Sequence, residues 1–238
     1  MGAEPRRCGS GTPFMRSQTS WEEWGCARSF GSRSSSLIPT RGGRQGAWYT
    51  YNDGSLGWQS PMPPDEVFAP TTETAARGLH AARMQGGDFT GWGAGIGLDL
   101  NNHACPVDDD GVSLDPSCPE NGRRMPYDLS RSTGVSFYGR SLEAPILVQF
   151  KVPSLHDTPD DAGGACDPEG LEACEDAYLV ALDFTGAWTL YEVPFTDLAQ
   201  SSWGKAFAWD SEAALGFQWQ VPGQGTFDIA LDEICLMP

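Results

Sequence analysis

Aromatic and amide side chains are the groups in this sequence whose number and placement best fit a binding chemistry. The chain has nine Trp and six Tyr among its 238 residues. Flat aromatic rings stack on the apolar C–H faces of sugar rings, while amides and charged groups hydrogen-bond to sugar hydroxyls. The candidates on polar faces of predicted strands, or in a late loop, are Tyr138, Arg140, Gln149, Trp203, Gln218 and Gln220. The competing explanation is that large aromatics pack in a core, and strand parity predicts that position for Trp92 and Trp219.

Motifs for catalysis are largely missing from the sequence. Its three His (His80, His103 and His156) have neither H-E-x-x-H nor another paired metal spacing, which argues against a zinc hydrolase. The run GVSFYG at 134–139 departs by one residue from the G-x-S-x-G of an α/β-hydrolase. A carboxylate pair for glycoside hydrolysis stays open, because 32 acidic residues offer many pairs and the deciding distance is spatial. The sequence therefore favours a non-catalytic protein.

Charge is distributed unevenly along the chain. The net charge is −17, yet residues 1–45 hold seven Arg against three acids, so the remainder carries −21. An acidic body argues against a nucleic-acid partner, whose phosphates require a basic surface. No apolar run approaches the ~18 residues of a membrane span, and residues 1–11 hold no apolar stretch of a signal peptide. We expect that the start of the chain is truncated, misassigned or replaced.

Seven cysteines indicate an oxidising compartment. None forms the C-x-x-C pairs of a zinc ribbon. Cys105 and Cys118 bracket one acidic loop, and Cys166 and Cys174 bracket another. We predict two local disulfides, each stabilising the fold by roughly 2–3 kcal/mol, with free thiols as the alternative. The protein is therefore expected to be secreted or at the cell surface, although no signal peptide is visible.

Strand-like alternation is clearest near the C-terminus. Apolar residues take every second position over 215–221, the turn residues PGQG follow at 222–225, and the alternation resumes over 227–231. Its phase then slips, because Ile234 lies on the opposite parity. These features predict a final pair of strands with a β-bulge at Asp232-Glu233.

The run GWGAGIGLDL at 91–100 has apolar residues on one parity and glycines on the other. A dinucleotide-binding loop would need a helix after it, whereas Asn101 and Asn102 follow. A strand that is bare on one face admits either a neighbouring aromatic side chain or a ligand close to its backbone. We favour the aromatic neighbour.

These patterns predict an all-β fold, a two-sheet antiparallel β-sandwich, and the family resemblance described below implies the jelly-roll type. Residues 1–44 are rich in Ser, Arg and Gly without periodicity, so we expect a poorly ordered or atypical segment there. Residues 45–238 are assigned to one sandwich domain, because neither an internal repeat nor a linker divides them.

From Gly91 onward, the order of motifs resembles the carbohydrate-binding jelly rolls of the galactose-binding-like superfamily, especially family 11 carbohydrate-binding modules. The motifs are Gly91-Trp92-Gly93, GVSFYGR at 134–140, ILVQFKV at 146–152, Trp188-Thr189 running into Glu192-Val193-Pro194-Phe195, and FDIALDEI at 227–234. The resemblance implies a cleft for β-glucan chains on one sheet, lined also by the loop that follows the Pro-Phe strand. Trp203 falls in that loop.

The resemblance also implies a structural calcium ion, bound by an acidic stretch near the first strand and by an Asp of the last strand, here Asp232. The chain departs from the pattern at its beginning, where Ser34-Ser35-Ser36-Leu37-Ile38-Pro39 stands in place of the acidic stretch. Half of the implied calcium site is therefore absent from the sequence.

Together, these observations predict a secreted, monomeric protein that binds polysaccharide without cleaving it. The rival interpretation is a secreted surface or adhesion domain that uses the same fold to bind another protein. A glycan-active enzyme is the third.

Overall fold

The structure is a computed structural model, and it describes residues 46–63, 71, 75–77, 80–103, 123–170, 173–223 and 225–238. The segment 1–44 and the predicted Cys105–Cys118 disulfide lie outside these residues. The strands are β1 (Trp48–Asn52), β2 (Trp58–Ser60), β3 (Ala82–Gly87), β4 (Ala94–Asp99), β5 (Asn102–His103), β6 (Arg123–Arg124), β7 (Gly134–Ser141), β8 (Ile146–Val152), β9 (Tyr178–Phe184), β10 (Thr189–Pro194), β11 (Gly216–Val221) and β12 (Thr226–Met237). The described residues also include two short 3-10 turns. Among these residues, no helix is long and apolar enough to span a bilayer.

Ten of these strands form two antiparallel sheets. The first sheet has the order β1-β4-β11-β8-β9, and the second has the order β10-β7-β12-β3-β2. β5 and β6 pair separately as a small two-stranded ribbon. The predicted all-β, two-sheet antiparallel sandwich is confirmed.

Strands that follow one another in the chain often lie in opposite sheets. β11 pairs with β4 and β8, whereas β12 pairs with β3 and β7. The last two strands therefore do not pair with each other, and the turn between them crosses from one layer to the other. Alternation could not reveal this, because it reports which side of a strand is buried and not which neighbour the strand has.

Aromatic rings fill the space between the sheets. Trp219 and Phe137 are completely buried and meet edge to face, with ring centroids 5.1 Å apart. Phe150 packs against Trp219 as well, at 5.4 Å. Each such side chain contributes roughly 1.5–3 kcal/mol by its burial, so this cluster supplies much of the driving force for folding. The prediction that Trp219 is a core residue is confirmed.

Two predicted local features are also present. The register of β12 against β7 shifts between Asp232 and Cys235, and Glu233 there has a φ of 50°, which confirms the β-bulge. The Cys166–Cys174 disulfide is confirmed, with its Cα atoms 5.9 Å apart.

Candidate functional site

The outward surface of the first sheet carries two parallel rows of side chains, which together form the floor of a cleft. The strand register places one row across the sheet as Tyr49, Gly97, Gln218, Lys151 and Leu179. The same register places the second row as Tyr51, Gly95, Gln220, Gln149 and Ala181. Because alternate residues of a strand point to opposite faces, this floor is the reverse side of the strands that build the core.

The glycines of β4 make room for two tyrosine rings. A Cβ added at Gly95 would lie 2.2 Å from Cζ of Tyr51, and one at Gly97 would lie 2.2 Å from Cζ of Tyr49. Of the two alternatives that the sequence left open for the bare face of this strand, the neighbouring aromatic is the one observed. The rings thereby lie close against the sheet and form an aromatic floor.

Trp92 stands at one end of this aromatic floor. Its ring centroid lies 5.7 Å from that of Tyr51, and the residue is 46% exposed. The prediction that Trp92 is a core residue is wrong. Gly93, with a φ of 104°, precedes β4 and breaks the alternation, so the parity of the strand does not extend to Trp92.

Trp203 borders the cleft from the loop that follows β10. It is 57% exposed, and its backbone N–H donates to Oδ2 of Asp176 at 3.0 Å. Binding residues often lie on loops that a rigid scaffold positions. Here the buried carboxylate of Asp176 holds the loop that carries Trp203.

The cleft has a volume of about 840 Å³, which lies within the range of ligand-binding sites in proteins. Its lining includes both tryptophans, the tyrosine and glutamine floor, Arg124, Lys151, and the carboxylates of Asp157, Glu175 and Asp176. Burial lowers the pKa of Lys151, and the charges of the three carboxylates oppose that shift.

Hydrogen bonds within the floor leave some polar groups available and occupy others. Gln220 accepts from Nζ of Lys151 at 2.6 Å and donates to the carbonyl of Trp92 at 3.1 Å. Gln218 donates to the hydroxyl of Tyr49 at 2.9 Å, and burial raises the pKa of that hydroxyl to about 12. In the described part of the chain, nothing hydrogen-bonds to the side-chain amide of Gln149. Ligand hydroxyls could therefore donate to the carbonyl oxygen of that amide and accept from its NH₂ group.

Four of the six predicted binding residues share the cleft, namely Gln149, Trp203, Gln218 and Gln220. The other two, Tyr138 and Arg140, are placed by the structure on the outward surface of the second sheet, on β7. The hydroxyl of Tyr138 accepts a hydrogen bond from Nη2 of Arg77 at 3.0 Å. The guanidinium of Arg140 lies over the ring of Trp188, 4.8 Å from its centroid. Alternation correctly marked these positions as outward-facing, but it could not tell which sheet their strand joins.

The binding residues predicted from the sequence do not include several that line the cleft, among them Tyr49, Tyr51, Trp92 and Lys151. The sequence did contain a signal for the two tyrosines. They alternate with Trp48 and Thr50 in a β-rich run, and the glycine face of β4 predicted a large neighbouring side chain. No comparable signal existed for Trp92, because its parity matched the buried residues of the same run.

Both carboxylate oxygens of Asp232 accept hydrogen bonds from described backbone groups. One oxygen of its carboxylate accepts the backbone N–H of Arg77 at 2.8 Å, and the other accepts that of Glu233 at 2.8 Å. Calcium prefers six to eight oxygen ligands, and among the described residues no group of three or more His, Cys, Asp or Glu could hold a metal. The calcium ion implied by the resemblance stays a prediction, and no part of the cleft chemistry depends on it.

This chain is similar to known proteins in fold but not in sequence. No protein-family model matches the chain, and no curated protein matches it. A family 11 carbohydrate-binding module from Clostridium thermocellum, solved in complex with a β-1,3-1,4-mixed-linked tetrasaccharide, is similar with a TM-score of 0.51 at 11% identity, over 90% of this chain and 96% of that chain. The solution structure of CtCBM11 has a TM-score of 0.50 at 12% identity, over 90% and 93%. A family 30 module from Clostridium thermocellum has a TM-score of 0.49 at 12% identity, over 80% and 91%. The chain therefore has the β-sandwich fold seen in family 11 carbohydrate-binding modules.

Proposed function

We propose that this chain binds a polysaccharide non-catalytically in the cleft of the first sheet, with β-glucan as the ligand class. The observation that carries the proposal is the cleft itself, which combines two exposed tryptophans, a floor of tyrosines and the amide of Gln149, to which no described residue hydrogen-bonds. Sugar rings supply the two surfaces that such a floor requires, namely apolar faces for stacking and hydroxyls for hydrogen bonds. The fold of a module solved with a mixed-linked β-glucan tetrasaccharide supports the choice of ligand class.

The state of the carboxylates in the cleft supports binding without cleavage. A glycosidase needs a pair of carboxyl groups flanking the scissile bond. Asp176 accepts hydrogen bonds from three backbone N–H groups, and Asp157 accepts from the backbone and hydroxyl of Ser154. Both residues are buried, so Glu175 is the exposed carboxylate among the three that line the cleft. One exposed carboxylate does not make a catalytic pair.

We also propose that the protein is secreted and monomeric. The Cys166–Cys174 disulfide supports an oxidising compartment, because such bonds persist outside the reducing cytosol.

Native affinity electrophoresis tests the function directly. The full chain, with its disulfides intact, is run through gels that contain mixed-linkage β-glucan, xyloglucan, xylan or no polysaccharide. We expect retardation in the β-glucan gel and no release of reducing sugar on incubation. Retardation in none of a broad set of glycans would favour the protein-binding alternative, and release of reducing sugar would favour an enzyme.

A further inference from the structure

The two exposed tryptophans of the cleft are held in the same way, although they belong to different loops. Oδ2 of Asp53 accepts the backbone N–H groups of Gly91 and Gly93, at 2.8 and 2.9 Å, and these residues flank Trp92 on both sides. Oδ1 of the same carboxylate accepts from Ser55, which fixes the orientation of the group. The backbone that carries Trp92 is therefore attached to the β1–β2 connection by a charge-assisted set of bonds.

Asp176 does the same for Trp203. Oδ2 accepts the N–H groups of Trp203 and Gly204, at 3.0 and 3.1 Å, while Oδ1 accepts that of Ser201 at 3.0 Å. The residue is 1% exposed, so its carboxylate has given up water for these three donors. Ser202, in between, adopts a φ of 66°, a conformation that a side-chain-bearing residue keeps only when its surroundings fix it.

Close packing against neighbouring backbone also restricts both loops. A Cβ at Gly204 would lie 2.6 Å from the carbonyl oxygen of Ala173, and one at Gly93 would lie 2.1 Å from that of Val221. Both glycines are thus pressed against neighbouring backbone. Desolvation acts to raise the pKa of Asp53, but hydrogen bonds from Ser55, Gly93 and Gly91 outweigh it and hold that pKa below its ordinary value, so the carboxylate stays charged at neutral pH.

We propose that Asp53 and Asp176 are positioning residues, which fix Trp92 and Trp203 before a ligand arrives. This inference rests on the proposed function, because it concerns how the same cleft is ordered before its ligand binds. A loop whose backbone is already ordered loses little conformational entropy on binding, whereas ordering a free loop lowers the affinity. Each aspartate acts through its own tryptophan and contacts no sugar.

A double-mutant cycle separates positioning from a general structural role. We expect Asp176→Asn to weaken β-glucan binding about tenfold, since its NH₂ group would face N–H donors. In a Trp203→Ala background the same change should alter affinity less than about twofold, whereas in a Trp92→Ala background the full tenfold effect should persist. Asp53→Asn should show the reverse dependence. Glu192→Gln, which removes an exposed carboxylate from β10 of the second sheet, is the control for charge and should leave affinity unchanged.

Two further measurements keep the test decisive if Asp176→Asn lowers stability. Gly204→Ala should displace the same loop by collision with Ala173 and reproduce the loss of affinity. The ¹⁹F NMR line of 5-fluorotryptophan at position 203, assigned with Trp203→Phe, should move toward the free amino acid in Asp176→Asn while the Trp92 line stays in place.

The outcomes distinguish this inference from the function beneath it. Additive effects in both tryptophan backgrounds, or unchanged affinity in both aspartate variants, would overturn positioning while leaving carbohydrate binding intact. Unchanged affinity in Trp92→Ala and Trp203→Ala would instead overturn the proposed use of the cleft.

Discussion

The outward surfaces of the two sheets, here named the cleft face (first sheet) and the opposite face (second sheet), differ in how their polar side chains are satisfied. On the opposite face, Arg83 makes a two-pronged ion pair with Asp228, at 2.8 and 2.6 Å. Arg140 lies over Trp188. On the cleft face, the amide of Gln149 has no internal partner in the described chain. A ligand that pairs with Arg83 or Arg140 would have to replace these interactions, whereas one that pairs with Gln149 adds to those already present.

Removing both tryptophans of the cleft should have the largest effect. Truncation of a central aromatic residue at an interface typically costs about 2 kcal/mol or more, so Trp92→Ala with Trp203→Ala should weaken β-glucan binding at least ~100-fold. Isothermal titration calorimetry measures this change. Trp58→Ala is the matched control, because Trp58 is 45% exposed, almost as much as Trp92, but belongs to the second sheet. An equal loss in the control would remove the distinction between the faces.

Opening the Cys166–Cys174 disulfide should weaken the Trp203 side of the cleft. Cys166→Ser with Cys174→Ser is expected to lower the free energy of unfolding by about 2–3 kcal/mol, measured by urea denaturation. The loop also contacts the Trp203 segment, since the N–H of Lys205 donates to the carbonyl of Ala173 at 2.9 Å. Affinity should therefore fall together with stability. Unchanged values for both would show that the disulfide does not support this wall.

Filling the space beneath a tyrosine should disturb the cleft floor. In Gly95→Ala the new methyl group meets the ring of Tyr51, and we expect a loss of about 1–3 kcal/mol in unfolding free energy. Gly186→Ala, where nothing lies within 4 Å, should change stability by less than about 0.5 kcal/mol. If collision is the cause, then Tyr51→Ala will cost less stability in the Gly95→Ala protein than in the wild type.

The smallest effect distinguishes one polar side chain on each face, the amide of Gln149 and the guanidinium of Arg140. Gln149→Ala should weaken β-glucan binding about fivefold, which corresponds to one hydrogen bond of about 1 kcal/mol. Arg140→Ala should leave affinity within about twofold of the wild type, because Arg140 lies on the opposite face. The reverse order of effects would mean that the ligand occupies the second sheet.

Local sequence patterns predicted the layers of this fold but not their connections. Two-residue alternation identified Trp219 as a core residue, and the phase slip located the bulge at Asp232-Glu233. Which strands pair depends on contacts between distant segments, such as β11 with β4, and alternation carries no information about them. For this reason the final two strands were expected side by side and lie instead in opposite sheets.

The same limit explains the partial prediction of the cleft. Gln218 and Gln220 were identified because they alternate with core residues of their own strand. Tyr138 has an equally clear outward position, yet its strand belongs to the second sheet. Trp92 was missed because a single glycine, Gly93, with a positive φ reverses the direction in which a side chain points.

Titration of ¹⁵N-labelled protein with a mixed-linked β-glucan tetrasaccharide, followed by ¹H–¹⁵N correlation NMR, tests the central claim most directly. We predict shifts of the indole signals of Trp92 and Trp203 and of the side-chain amide of Gln149, together with the backbone signals of β8 and β11. The signals of Tyr138 and Arg140 should stay in place. Shifts confined to β7 and its neighbours in the second sheet, or no shifts at millimolar ligand, would contradict binding in this cleft.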